Sequence, residues 1–192
     1  TGDNNIAVGY KSLYYNTTGF SNIAVGVDSL ENNTIGNNNI AIGYHSLYFN
    51  ETGNNNTACG ISSLVNNTTG YENTAFGYRS LFSNTTGIYN TAVGYKAGDK
   101  ITTGSNNTVI GYDADVSAET DTNSIVIGNG AAGVGTNIAV IGNSSVKQVQ
   151  TGSGSNLAGV ITQSTGSAPS TTPNYIGEMV VDTNSSKAYI AK

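Results

Sequence analysis

The sequence predicts an all-β protein, a parallel β-roll or β-solenoid, and three observations carry that prediction. Glycine recurs every 17 residues at Gly9, Gly26, Gly43, Gly60, Gly77, Gly94, Gly111 and Gly128, and a second row keeps the same step at Gly19, Gly36, Gly53, Gly70, Gly87 and Gly104. A unit this short cannot hold the helix pair of a helical repeat, which takes about 30 residues or more. Nor does it contain a long apolar stripe of helical period; its β-branched residues, glycines and Asn/Thr clusters suit short strands and tight turns. Each unit is therefore one rung of a stack.

Within the first unit, residues 5–10 read as a strand, 12–15 as a shorter second strand and 16–19 as the return turn. Asn and Gly most easily adopt the left-handed backbone that a sharp corner needs, and glycine lets neighbouring chain approach closely. Gly9 thus marks a bend or close approach, and Gly19 a corner. The asparagine opening each first strand recurs in step at Asn5, Asn22, Asn39, Asn56, Asn73, Asn90 and Asn107. Short polar side chains repeated in this way can stack into hydrogen-bonded ladders from rung to rung.

Alternation along the first strand sends Ile6, Val8 and Tyr10 to one face and Ala7 and Gly9 to the other, and neither face is polar. A strand apolar on both sides is normally covered on both sides. A flat 17-residue coil has only one interior, so the sequence predicts that the second face is buried against another copy of the chain. It leaves open which parity points inward; Leu13, Leu30, Leu47, Leu64 and Leu81 are expected to share the interior with whichever does.

The regular units span about residues 5–112, and the repeat domain as a whole 1–146. The Ser-Leu pair is lost at Lys96, Ala97 and Gly98, and the step from Gly128 to Gly142 falls to 14. The later segments 123–128 and 137–142 read as carrying one extra residue between Asn and Gly. Nine rungs at about 4.8 Å each give a rod on the order of 40 Å tall. Residues 147–174, rich in Gly, Ser, Thr and Pro, read as an extended linker. Residues 175–192 read as a β-hairpin turning at 183–186 and continuing into a further domain.

Composition points to a scaffold. Only 10% of residues are charged, the net charge is -5 and Lys and Arg together number 7, which leaves no basic patch for nucleic acid. There is no apolar run near 18 residues, and direct membrane insertion is not expected. The chain opens at Thr1 without an initiator Met or a leader, and reads as a piece of a larger protein. No catalytic, cofactor-binding or metal-binding constellation stands out. His45 falls in a variable slot shared with Lys11, Asp28, Ser62, Arg79 and Lys96, and reads as a plain surface residue. Cys59 stands where other units carry Val, Ile or Phe, and reads as a small buried hydrophobe. The acidic group Asp113, Asp115, Glu119 and Asp121 reads as a solvated loop. The Gly-rich stretch 128–133 lacks the Lys-Ser/Thr of a phosphate loop.

Two surface features are candidates for contact. Tyr10, Tyr44, Tyr78, Tyr95 and Tyr112 form a row that can stack on sugar rings, or pack between rungs and between subunits. Asn16, Asn50, Asn67 and Asn84 open Asn-x-Thr sequons, read as corners first and glycan acceptors second.

Segments 123–128 and 137–142 resemble the Asn-Ser-x-Ala-Ile-Gly signature of the head domains of trimeric autotransporter adhesins (YadA-head-like), and the 17-residue version of the repeat, with its signature at Asn90 to Gly104, is similar to repeats of bacteriophage tail fibres and other large surface proteins. The segment 176–190 resembles a Gly-x-x-x-x-Asp-Thr…Lys-x-Tyr-Ile hairpin of phage fibre and tail proteins. The resemblance implies a left-handed β-roll, three copies of which pack about a common axis. It further implies a structural and receptor-binding segment of a homotrimeric fibre, most simply a virion tail fibre that attaches to a host-cell glycan or protein by repeated weak contacts. Two alternatives stand beside it: the head of a bacterial cell-surface adhesin of the same fold, and an ice-binding β-solenoid suggested by threonine rows such as Thr57, Thr74, Thr91 and Thr108. An enzyme is not expected, because the few carboxylates do not recur as pairs facing one groove.

Overall fold

The computed structural model describes residues 2–146 and, further along, three short strands at Thr162–Ser164, Met179–Asp182 and Lys187–Ile190. Residues 2–146 form a parallel β-solenoid. Nine three-residue strands, β1 (Ile6–Val8), β2 (Ile23–Val25), β3 (Ile40–Ile42), β4 (Thr57–Cys59), β5 (Thr74–Phe76), β6 (Thr91–Val93), β7 (Thr108–Ile110), β8 (Ile125–Ile127) and β9 (Ala139–Ile141), lie in chain order in one sheet. Equivalent positions pair throughout, Ala7 with Ala24 and Ala24 with Ala41.

The core settles the parity. Ala24, Ala41, Ala58, Ala75 and Ala92, each the middle residue of its strand, are fully buried, as are Leu30, Leu47, Leu64 and Leu81 on the far side of the coil. The interior is thus one small residue facing one large one, repeated up the stack.

The expected second strand is instead a turn. In the first rung Lys11 and Leu13 have φ of 52° and 51°, and the equivalent leucines lie between 48° and 51°. No β-strand accommodates such angles. The rung-to-rung hydrogen bonds survive all the same: Leu13 N donates to Ser29 O (3.0 Å) and Tyr15 N to Glu31 O (2.9 Å). The two left-handed residues of each turn together cost about 2–4 kcal/mol, and burying the leucine side chain returns about 1.5–3 kcal/mol. Leucine burial and the retained rung-to-rung bonds together hold the kinked turn.

Two glycine rows fix how closely the coils approach. At Gly60, φ is +140° and a Cβ would lie 2.4 Å from Gly77 O; at Gly53 it would lie 2.3 Å from Gly70 O. Any side chain at either place would wedge neighbouring rungs apart.

Two asparagine ladders run beside these glycines. In the first, Asn22 Nδ2 donates to Gly36 O (2.8 Å) and Asn22 Oδ1 accepts from Asn39 N (2.9 Å). In the second, at the corner, Asn50 Nδ2 donates to Asn33 Oδ1 (2.8 Å) and to Gly53 O (3.0 Å). Asn22, Asn33, Asn39 and Asn50 are fully buried.

The pattern changes after the fifth coil. Gly98 occupies the leucine position and Ile101 the corner-asparagine position, one step of 17 beyond Leu81 and Asn84. Ile101 is fully buried, and its Cδ1 reaches within 3.3 Å of the point where a Gly98 Cβ would sit. The isoleucine therefore fills the space vacated by leucine. The corner ladder ends here, and Asn84 Oδ1 is left buried without a hydrogen-bond partner. Val109 and Val126 then replace alanine in the sheet, adding volume where leucine is gone.

The extra residue expected in segment 123–128 is absent. β7 and β8 pair without a slip, Thr108 with Ile125. Asn123 has the φ of 53° that belongs to the residue before the ladder, and Ser124 takes the ladder position, its N donating to Asn107 Oδ1 (2.9 Å).

The remaining strands form a separate three-stranded sheet: β10 (Thr162–Ser164) is parallel to β11 (Met179–Asp182), which is antiparallel to β12 (Lys187–Ile190). β10 falls inside the segment read as a linker; the rest of 147–174 and the turn 183–186 lie outside the described residues.

The exchange at Gly98 and Ile101 has a measurable signature. Ile101→Asn alone vacates core volume and should cost roughly 2–4 kcal/mol, and Gly98→Leu alone overpacks against Ile101, costing about 1–3 kcal/mol. The double variant restores the regular unit, so a double-mutant cycle by chemical denaturation should give a favourable coupling of roughly 2 kcal/mol or more.

Candidate functional site

Because alanine points inward, the residues on either side of it in every strand point away from the core. The outward face of the sheet carries a column of Ile and Thr (Ile6 to Ile125), a column of Val, Ile, Cys and Phe (Val8 to Ile141), and the tyrosine row just beyond. Exposed members run its whole length: Ile6, Val8, Ile42, Phe76, Val93, Ile110, Ile125 and Ile141. Single exposed apolar residues are ordinary, but an unbroken apolar stripe along a nine-stranded sheet is not.

The five candidate tyrosines are all exposed, from Tyr95 at 40% to Tyr10 at 68%. Tyr78 and Tyr95 stack at 5.2 Å between ring centroids, and Tyr95 and Tyr112 at 4.9 Å, within 14° and 9° of parallel. Both faces of Tyr95 are therefore covered by its neighbours, and the ladder offers ring edges outward. The row is interrupted by Val27 and Ile61. Tyr44 stacks instead on His45, at 3.8 Å.

His45 is more engaged than a plain surface residue. Besides Tyr44, its Nε2 lies 3.2 Å from Asp28 Oδ2, one coil away. Its slot has positive φ in every rung from Lys11 (52°) to Asp113 (52°), which directs successive side chains against one another. The sequence shows only that this slot varies. Cys59 is half-buried on the outward face, between Ile42 and Phe76, and not in the interior, because it follows the inward Ala58.

The acidic segment also departs from a solvated loop. Asp115 and Asp121 are buried. Asp121 Oδ2 accepts from Ser117 Oγ (2.6 Å), Ala118 N (2.9 Å) and Ser117 N (3.0 Å), and these donors, the Ser117 hydroxyl foremost, hold its carboxyl below the usual range. Asp115 accepts from Lys100 N (3.2 Å) and Val116 N (2.9 Å). Burial first, then the hydrogen-bonded carboxyl of Asp99, pushes Asp115 up to about 7. Both aspartates thus close turns of the stack. Among the described residues, no group of three or more His, Cys, Asp or Glu could hold a metal ion.

The sequon nitrogens are in use by the corner ladder. Asn67 Nδ2 donates to Asn50 Oδ1 (2.8 Å) and Gly70 O (2.9 Å), and Asn50, Asn67 and Asn84 are fully buried. A glycan on these nitrogens is incompatible with the folded coil.

Comparison of the chain with protein-family models, curated proteins and solved structures returned no match.

The Asp99 and Asp115 pair predicts a pH dependence. The folded chain keeps on Asp115 a proton that the unfolded chain, with an ordinary carboxyl near 3.8, releases. Folding therefore binds protons between about pH 4 and 7, and stability falls as pH rises through that window. Asp99→Asn removes the neighbouring charge. Denaturation midpoints at pH 5 and pH 8 should lie closer together in this variant than in the parent chain.

Proposed function

We propose that this chain is a rigid segment of a homotrimeric fibre, most simply a bacteriophage tail fibre, which both spaces and presents a surface for attachment to the host cell. One observation carries the reading. The solenoid fills its own interior with the alanine and leucine columns, and still directs a second, continuous apolar and aromatic face outward along the sheet. Water contact over that face is unfavourable by roughly 25 cal/mol per Å², and sister chains side by side would remove it.

The remaining features suit such a role. The ladders make a rod whose every coil is tied to the next. The loops and corners carry Thr, Asn and Tyr, groups suited to repeated weak polar contacts with a cell-surface glycan or protein, multiplied by the number of copies. The likeness of segment 176–190 to a phage fibre hairpin favours a virion over a bacterial surface.

Sedimentation equilibrium of the full chain at micromolar concentration should report a trimer. A monomer across that range overturns the proposal. Phe76→Asp, which places a charge on the outward face and leaves the core untouched, should weaken association at least roughly tenfold. Its β-rich circular dichroism should remain.

A further inference from the structure

The proposed association leaves open how neighbouring copies are aligned, and two charges on the borders of the face bear on that question. Each rung from β1 to β8 has one left-handed residue two positions before its strand and another three positions after it. These two columns border the apolar face on its opposite edges. In the rung of β5 they are Glu72 (φ 55°) and Arg79 (φ 54°).

Neither residue takes part in an ion pair among the described residues, whereas Lys11 Nζ lies 3.2 Å from Glu31 Oε1. Arg79 is half-buried, its guanidinium held 3.8 Å over the Phe82 ring, and its Nε is buried without a hydrogen-bond partner. Glu72 is exposed. A guanidinium held in place over a ring presents its terminal Nη donors as a fixed fork, suited to take a carboxylate through two parallel hydrogen bonds. The chain's own Glu72 is on the other edge of the sheet.

Symmetry supplies the partner. Any closed ring of copies about an axis parallel to the stack brings the leading edge of one face against the trailing edge of the next, and closure forbids an axial offset. Equal rungs then meet. The edge pairs become Lys11 with Asn4, Asp28 with Ser21, Arg79 with Glu72 and Lys96 with Tyr89. None is like-charged, one is of opposite charge, and one sets an ammonium beside an aromatic ring.

We infer that neighbouring copies lie parallel and rung against rung, with Arg79 of one copy bound to Glu72 of the next. This rests on the proposed association through the same face. The pairing fixes register, and the apolar columns supply most of the affinity.

The test uses the full chain with Cys59→Ser as background. E72C/R79C should form disulfide-linked species between copies under mild oxidation, whereas E72C/K96C, one rung out of step, should not. In a second arm, E72R and R79E should each weaken association at least about tenfold through like-charge contact, and E72R/R79E should recover it. If the background chain sediments as a monomer, the proposed association itself fails. If it associates but the offset pair crosslinks better, or the double charge swap gives no recovery, the rung-matched pairing is overturned and the association stands.

Discussion

The carbonyl oxygen of each corner glycine from Gly19 to Gly87 lies between two asparagine ladders and accepts from both. Gly36 O takes Asn22 Nδ2 at 2.8 Å and Asn33 Nδ2 at 3.0 Å, and Gly53 O takes Asn39 Nδ2 and Asn50 Nδ2 at the same distances. Buried amides are costly unless bonded, and here each amide nitrogen is shared between a glycine carbonyl of its own coil and the asparagine oxygen of the coil before it, as Asn22 Nδ2 is with Asn5 Oδ1 and Asn33 Nδ2 with Asn16 Oδ1. The ladders therefore impose the 17-residue period. A coil one residue longer or shorter would put an apolar or unmatched group opposite a buried amide. The glycines belong to the same constraint, since the bonds form only where backbone approaches backbone without an intervening Cβ. The strands are three residues long and could not hold this geometry alone.

Much of the fold was legible because it is periodic. The glycine rows, the nine rungs, the parallel pairing and the shared burial of the leucines all follow from spacing and residue type. The face parity was not legible: Ala7 and Val8 are both apolar, and only the volume available inside a coil selects alanine. The turn at 11–15 was also hidden. Its residues, among them Leu13 and Tyr14, have no glycine or asparagine to announce positive φ, and the conformation is imposed by the need to bring leucine inward. The exchange of roles between Gly98 and Ile101 looked like decay of the pattern, because a side chain entering from three residues away leaves no trace in column spacing. In the same way, Ser124 standing in for an asparagine made a rung of regular length look longer.

For the candidate site, the sequence identified the outward columns and the tyrosine row but not their mutual arrangement. Aromatic rings one rung apart are close enough to stack on each other, which Tyr78, Tyr95 and Tyr112 do and which Tyr10, separated from Tyr44 by Val27, does not. At the variable slot, His45 likewise meets Asp28 one coil away. The solenoid converts a sequence separation of 17 into direct contact, so residues that look isolated in the chain, such as His45 and Asp28, are neighbours.

The unanswered acceptor at Asn84 also bears on how the rod yields. Each coil is gripped only by those directly above and below, so a pulling force along the axis is borne in series. Separation will start at the joint with the fewest tethers. Where the corner ladder stops, one line of bonds is missing, so the joint above Asn84 grips less firmly than the joints before it, each of which carries both ladders.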